Sequence, residues 1–370
     1  MKNSSKKSEK SQATIKIFNK AESLRKKCQY KESLSFFRKA LKRYATLNDS
    51  AGLFCCHAAI GDVYRMIGNF SLAADNYLAA INVSNSEDYD VKRADAEVGL
   101  GLSMRALGNW KDALFHINKS KKYYIKKNDI EGLAFTLWAE AGTYRIKGDI
   151  KKAIETFLES RKLFESLKDK HGTGYCMCGL GGASRIAGKF SDSLKYYKAA
   201  NKIFTELKDK FGIAYSYCGI GNAYRMLLDF KKAFEFFRKA SKIYEKIGDI
   251  VSYSYTLWGI GTSHKMIGNY KEADEFFNKA ISNFKKTKDP RGLIYCKLAR
   301  GELSLLKGNK LLAEKYIEEA FNDTIKYKFA IEKCYANTLK SILKKSGLNL
   351  SCYKNLGIEL NLREIPFNIP

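Results

Sequence analysis

Residues 215–240, YSYCGIGNAYRMLLDFKKAFEFFRKA, carry the pattern that decides the fold. The pattern returns in altered form every 40 residues. Gly61, Gly101, Ala141, Gly181, Gly221, Gly261 and Gly301 share one register. Four residues on, the same register holds Arg65, Arg105, Arg145, Arg185, Arg225 and Lys265. Further along stand Ala73, Ala113, Ala153, Ser193, Ala233, Ala273 and Ala313. They are followed by Tyr77, Ile117, Phe157, Tyr197, Phe237, Phe277 and Ile317. A repeat of this period means stacked units, each burying its apolar face on its neighbours.

Each unit reads as two helices. Asp209 is placed to cap the first, its carboxylate accepting from the orphan amides of the opening turn. Asp49, Asp129, Asp169, Asp249 and Asp289 hold the same place. Gly68, Gly108, Gly148, Gly188, Gly268 and Gly308 stand where that helix should end, as left-handed caps do; Leu228 breaks the rule. A second helix is expected from Asp229 or Phe230 to about Ile247. Phe230, Ala233, Phe237 and Ala240 lie three and four apart and form one apolar stripe. Three prolines, Pro290, Pro366 and Pro370, leave little to interrupt helices.

Tyr217, Ile220, Gly221 and Tyr224, followed by Ala233 and Phe237, match the order W-x2-L-G-x2-Y and then A-x3-F. The chain therefore resembles the tetratricopeptide-repeat superfamily over residues 11–345. Its 40-residue unit, without a closing proline, looks like the repeats of Pins/LGN-type spindle adaptors and of some bacterial regulators. The resemblance implies an all-α, right-handed α-solenoid of about eight helix pairs. A last helix over residues 325–345 would cap the final apolar face. Residues 1–11, polar and lysine-rich, are expected to be a disordered basic tail, 12–345 the solenoid, and 346–370 an extended C-terminal tail.

Hydrophobic residues make up 45% of the chain, enough for a core. The N-terminus has no signal-type apolar run, and no run long enough to span a membrane occurs. The nine cysteines show no paired framework, which suits a reducing cytoplasm. The net charge of +27 suits nucleic acid, anionic lipid or acidic peptide, or else lysines that solubilise helices.

At 100° per residue, Tyr215, Cys218, Asn222, Arg225 and Met226 face away from the packing side of their helix. In the family resembled, that side lines the concave groove. Read along the array, it carries Arg65, Arg105, Arg145, Arg185, Arg225 and Lys265, with Asn222 beside Arg225. Tyr175, Tyr215, Tyr255, Trp138 and Trp258 add rings, while Gly142 and Gly182 leave room. Guanidinium forks bind carboxylates, and rings accept apolar side chains or stack on bases. A repeated Arg also serves to pair with a carboxylate on a neighbouring helix.

Other constellations point to packing. Gly179-Leu180-Gly181-Gly182 resembles part of a dinucleotide fingerprint, but no preceding strand or βαβ unit is visible. Cys176 and Cys178 diverge by about 200° on a helix. Cys55, Cys56 and His57 diverge likewise, so no metal site is expected. No cofactor is implied, and no catalytic grouping emerges from the spacing of His57, His116, His171 and His264. The expected function is therefore that of a non-catalytic scaffold or adaptor. It would hold an extended, acidic protein segment in the Arg- and aromatic-lined groove. Binding of single-stranded RNA, or recruitment of an enzyme as its accessory subunit, are the alternatives.

Overall fold

A computed structural model describes residues 2–83, 91–360 and 362–369. The described residues form helices, turns and loops, and no strand. The chain divides into two compact units, Met1–Gly132 and Leu133–Pro370.

The first unit contains α1 (Lys2–Lys26), α2 (Tyr30–Leu47), α3 (Ser50–Met66), α4 (Phe70–Val83), α5 (Val91–Ala106) and α6 (Trp110–Lys127). α1 takes in residues 2–11, the segment expected to be an unstructured tail. No proline or glycine interrupts it there. The second unit begins within α7 (Ile130–Lys147). It continues through α8 (Ile150–Ser166), α9 (Lys170–Ile186), α10 (Phe190–Glu206), α11 (Lys210–Met226) and α12 (Phe230–Ile247). Then follow α13 (Ile250–Met266), α14 (Tyr270–Thr287), α15 (Pro290–Leu306), α16 (Lys310–Tyr327), α17 (Ala330–Leu343) and α18 (Ser351–Asn355). Within it, first helices neighbour first helices: α9 meets α11, α11 meets α13, α13 meets α15, and α15 meets α17. This is the stacked helix-pair architecture that the repeat implies.

The punctuation read from the sequence is what ends the helices. Asp49, Asp129, Asp169, Asp209, Asp249 and Asp289 each accept from the backbone amide three residues on, at 2.8–3.1 Å. The six glycines expected as terminators all have positive φ. Leu228 takes the same left-handed conformation, φ 63°, so that turn keeps its geometry without glycine.

The Gly-x-Gly pattern has a packing cause. Phe237, fully buried, sits between two helices of the first-helix layer. A Cβ at Gly221 would lie 2.7 Å from its ring, and one at Gly259 2.8 Å from its far edge. Tyr197 is held in the same way between Gly181 and Gly219. In the triplets at 179–181, 219–221 and 259–261 the second glycine receives the ring of its own pair and the first receives the ring of the preceding pair. The resemblance to a dinucleotide fingerprint follows from that spacing. A second glycine series, passed over in the sequence, stands three residues after the capping Asp. Gly172, Gly212 and Gly292 lie against Phe164, Phe204 and Phe284.

α17 closes the array, burying Ile331, Tyr335 and Leu339. Cys334 in α17 is bonded to Cys352 in α18, with their Cα atoms 5.3 Å apart. This pairing departs from the expectation of no disulfide framework. Contact between two separate segments, which spacing does not report, brings the two sulfurs together. The segment expected as an extended C-terminal tail contains the short α18. Beyond it Ile358, Phe367 and Ile369 are buried. Asn361 and Pro370, part of the expected tail, lie outside the described residues.

Candidate functional site

The basic register is used differently in the two units. In the first, Arg65 lies 3.7 Å from Asp62 on its own helix, and its Nε donates to the Tyr77 hydroxyl at 3.4 Å. That hydroxyl donates in turn to Asp62 at 2.6 Å. Arg65 is thus engaged within its unit. Arg105 is half-buried at the end of α5.

In the second unit, α7, α9, α11 and α13 present Arg145, Arg185, Arg225 and Lys265 near their C-terminal ends. Arg145 lays a guanidinium nitrogen over Gly182, filling the space that the glycine was expected to leave for a ligand. Arg185 is half-buried, and its Nε and Nη1 are closed off from solvent with no hydrogen-bond partner among the described residues.

Arg225 is fully buried. Asn222, one turn earlier and expected beside it as a groove residue for a peptide, accepts from its Nε at 3.4 Å and its Nη2 at 3.3 Å. Nη1 donates to Oδ1 of Asn368, and Nη2 donates to the Ile369 carbonyl at 3.0 Å. The Asn368 amide nitrogen donates back to the Arg225 carbonyl at 2.8 Å. All these acceptors are neutral. Burial, with the neighbouring Arg185 charge adding to it, pushes the Arg225 guanidinium down to about 9.

Lys265, also buried, donates to Glu302 at 2.7 Å and to the Phe367 carbonyl at 3.0 Å. The Phe367 amide donates to the other oxygen of Glu302, which also accepts from the Tyr335 hydroxyl through Oε2. Burial lowers the Lys265 pKa against the opposing pull of Glu302. The ion pair thus grips both backbone polar groups of one residue, Phe367. Upstream, the tail backbone crosses the turn after α9, where a side chain on Gly188 would collide with the Glu359 carbonyl.

The expected rings divide between scaffold and site. Tyr175 and Tyr255 donate to Asp209 and Asp289, the caps of the next unit, at 2.8 and 3.0 Å. Tyr215 is half-buried and stacks on Phe211. Trp138 stacks on Phe135 and packs against Ala134, Ala141 and Phe157. Trp258 lies under the Arg225 guanidinium, 5.3 Å from ring centroid to Cζ, and its indole N–H finds no acceptor among the described residues. Sequence reasoning missed Glu302, Tyr335 and residues 367–369 as parts of this site. Glu302 stood in the register of Asn222, which was the available signal; nothing in the tail's spacing announced where it docks.

The family model for the tetratricopeptide repeat matches residues 11–86, 177–246 and 212–286, just over half of the chain. The chain is a tetratricopeptide-repeat protein. No curated protein matches it in sequence. Among solved structures, this repeat protein is similar to the Rap conjugation gene regulator of plasmid pLS20 in complex with the Phr* peptide. The TM-score is 0.66 at 11% identity, over 85% of this chain and 96% of that one. It is also similar to a Rap protein complexed with competence and sporulation factor, with TM-score 0.60 at 13% identity, over 90% and 98%. Aspartyl phosphate phosphatase F from Bacillus subtilis gives 0.50 at 13%, over 95% and 97%. At these identities the likeness concerns the fold. No helix among the described residues is long and apolar enough to cross a membrane.

Proposed function

We infer that this tetratricopeptide-repeat protein is a non-catalytic binding scaffold whose second unit holds an extended, acidic protein segment along Arg145, Arg185 and Arg225. The observation that carries the reading is the Arg185 guanidinium. Its Nε and Nη1 are shielded from water and lack a partner among the described residues, and its charge adds to that acting on Arg225. Burying those two donors without a partner is unfavourable, and a carboxylate accepting from the fork removes that penalty. Lys265, by contrast, already has Glu302. The fold relative solved with the Phr* peptide shows this architecture holding a peptide in another protein.

The test is titration of the purified protein with an acidic peptide library and with random single-stranded RNA, each at several salt concentrations. Peptide binding that weakens at least tenfold in Arg185→Ala supports the reading. RNA binding with a log–log salt slope of about −0.7 per neutralised phosphate, and no peptide binding, replaces it with the nucleic-acid alternative.

A further inference from the structure

The segment 367–369 is held in a way unlike ordinary chain-end packing. Phe367 and Ile369 are each 1% exposed, so both apolar side chains are inside the molecule. Between them Asn368 is read at both ends of its amide: its oxygen accepts from the Arg225 guanidinium and its nitrogen donates to the Arg225 carbonyl. An aspartate offers no donor for that carbonyl, and an alanine offers neither group. The flanking backbone is held by three further hydrogen bonds. The Phe367 amide meets Glu302, the Phe367 carbonyl meets Lys265, and the Ile369 carbonyl meets Arg225. Backbone groups gripped in this way are common to any extended chain. Selectivity therefore comes from the central amide and the two apolar neighbours.

The site is also built largely without the tail. Arg225 is oriented by Asn222 and overlies Trp258, while Glu302 is fixed by Lys265 and Tyr335. These residues come from α11, α13, α15 and α17, and each is positioned by a neighbour outside residues 367–369. Removing the tail leaves a preorganised set of donors and acceptors, with Arg185 next in the register along the same layer of helices.

We propose that Arg225, Lys265 and Glu302 form a subsite for an extended apolar–Asn–apolar segment. Residues 367–369 keep it filled until a partner segment of that pattern displaces them. The proposal rests on the peptide-binding reading above and names the pattern that this part of the groove selects. The tail is tethered, so its local concentration is in the millimolar range, and a free segment competes poorly until the tail's hold is loosened.

The experiment uses the full chain and a labelled peptide of residues 362–370, LREIPFNIP, blocked at both ends, with anisotropy as readout. Asn368→Ala in the protein is expected to bind the peptide at least tenfold more tightly than the unaltered protein. Arg225→Ala added to that variant, or Asn368→Ala in the peptide, is expected to remove the gain. Circular dichroism verifies that each variant keeps its helices. A folded Asn368→Ala protein that binds the peptide no better than the unaltered one overturns the proposal.

Hydrogen exchange on the unaltered protein gives a second, independent reading. Excess peptide should speed exchange at the Phe367 amide while leaving the amides of α15 unchanged. A Phe367 amide that opens only with global unfolding, peptide or no peptide, shows a fixed structural cap and likewise overturns it. Acidic peptides that bind through Arg185 while the tail proves fixed refute this subsite alone. A tail that exchanges freely while acidic peptides ignore Arg185 refutes the acidic-segment reading alone.

Discussion

The phenol of Tyr175 donates to Oδ2 of Asp209 at 2.8 Å, while Oδ1 of the same carboxylate accepts from the Gly212 amide at 3.0 Å. One side chain at the end of a first helix's opening turns thus holds the cap of the following first helix. Tyr255 and Asp289 repeat the arrangement one unit pair further on. The ring register read as groove lining is, at these two positions, a clasp between successive units.

Tyr175→Phe tests the clasp. It keeps the ring and removes only the donor to a charged acceptor, so the loss should be about 1–2 kcal/mol. Urea unfolding followed by circular dichroism measures it. An unchanged midpoint means that the hydroxyl contributes nothing to holding the next unit.

The glycine sandwich gives an opposite-signed comparison with helix propensity. Alanine is the better helix former by about 1 kcal/mol. At Gly221, however, its methyl would press on a ring already stopped from behind by Gly259. Overpacking of this kind is destabilising by about 1–3 kcal/mol, so Gly221→Ala should lower the melting temperature. Ala141 occupies this register beside Phe157, and there the other face of the ring still meets Gly179. Phe237→Ala, at a ring with no exposure, should lower stability by about 3–5 kcal/mol.

The Asp289 cap carries a pH signature. Burial holds its carboxyl above the ordinary value of 3.8, so the folded chain keeps that proton more tightly than the unfolded chain. Its contribution is therefore most favourable below the unfolded value and declines as pH rises through the window up to the folded one. Asn caps about as well and does not titrate there. Stability of the unaltered protein relative to Asp289→Asn should therefore fall as pH rises above the ordinary carboxyl value of 3.8. Urea midpoints at several pH values follow it; a rising difference contradicts the burial assignment.

The bridge between Cys334 and Cys352 leaves seven other cysteines free among the described residues. Alkylation of the air-purified, denatured protein should mark seven thiols without reductant and nine with it. Nine marked thiols in both cases show that the bridge does not form. The bridge ties α18 to α17, so Cys352→Ser should also lower the unfolding free energy from urea titration, by up to about 3 kcal/mol in the chain-entropy model.

The sequence alone determined the all-helical repeat, the helix boundaries from Asp and Gly, and the placing of Asn222 three residues before Arg225. These depend on neighbours within one unit or one period away, so periodicity exposes them. Tertiary structure alone decided what the basic register meets. Arg65 finds Tyr77 and Asp62, Arg145 covers Gly182, and Arg185 finds no partner among the described residues. Arg225 meets Asn368, 143 residues away. Chain-distant docking of that kind leaves no period in the sequence, because a single tail segment contacts several helices once and repeats with none. The fate of each identical-looking Arg was thus fixed by what the folded chain places over it, while the register that presents it was fixed by local spacing.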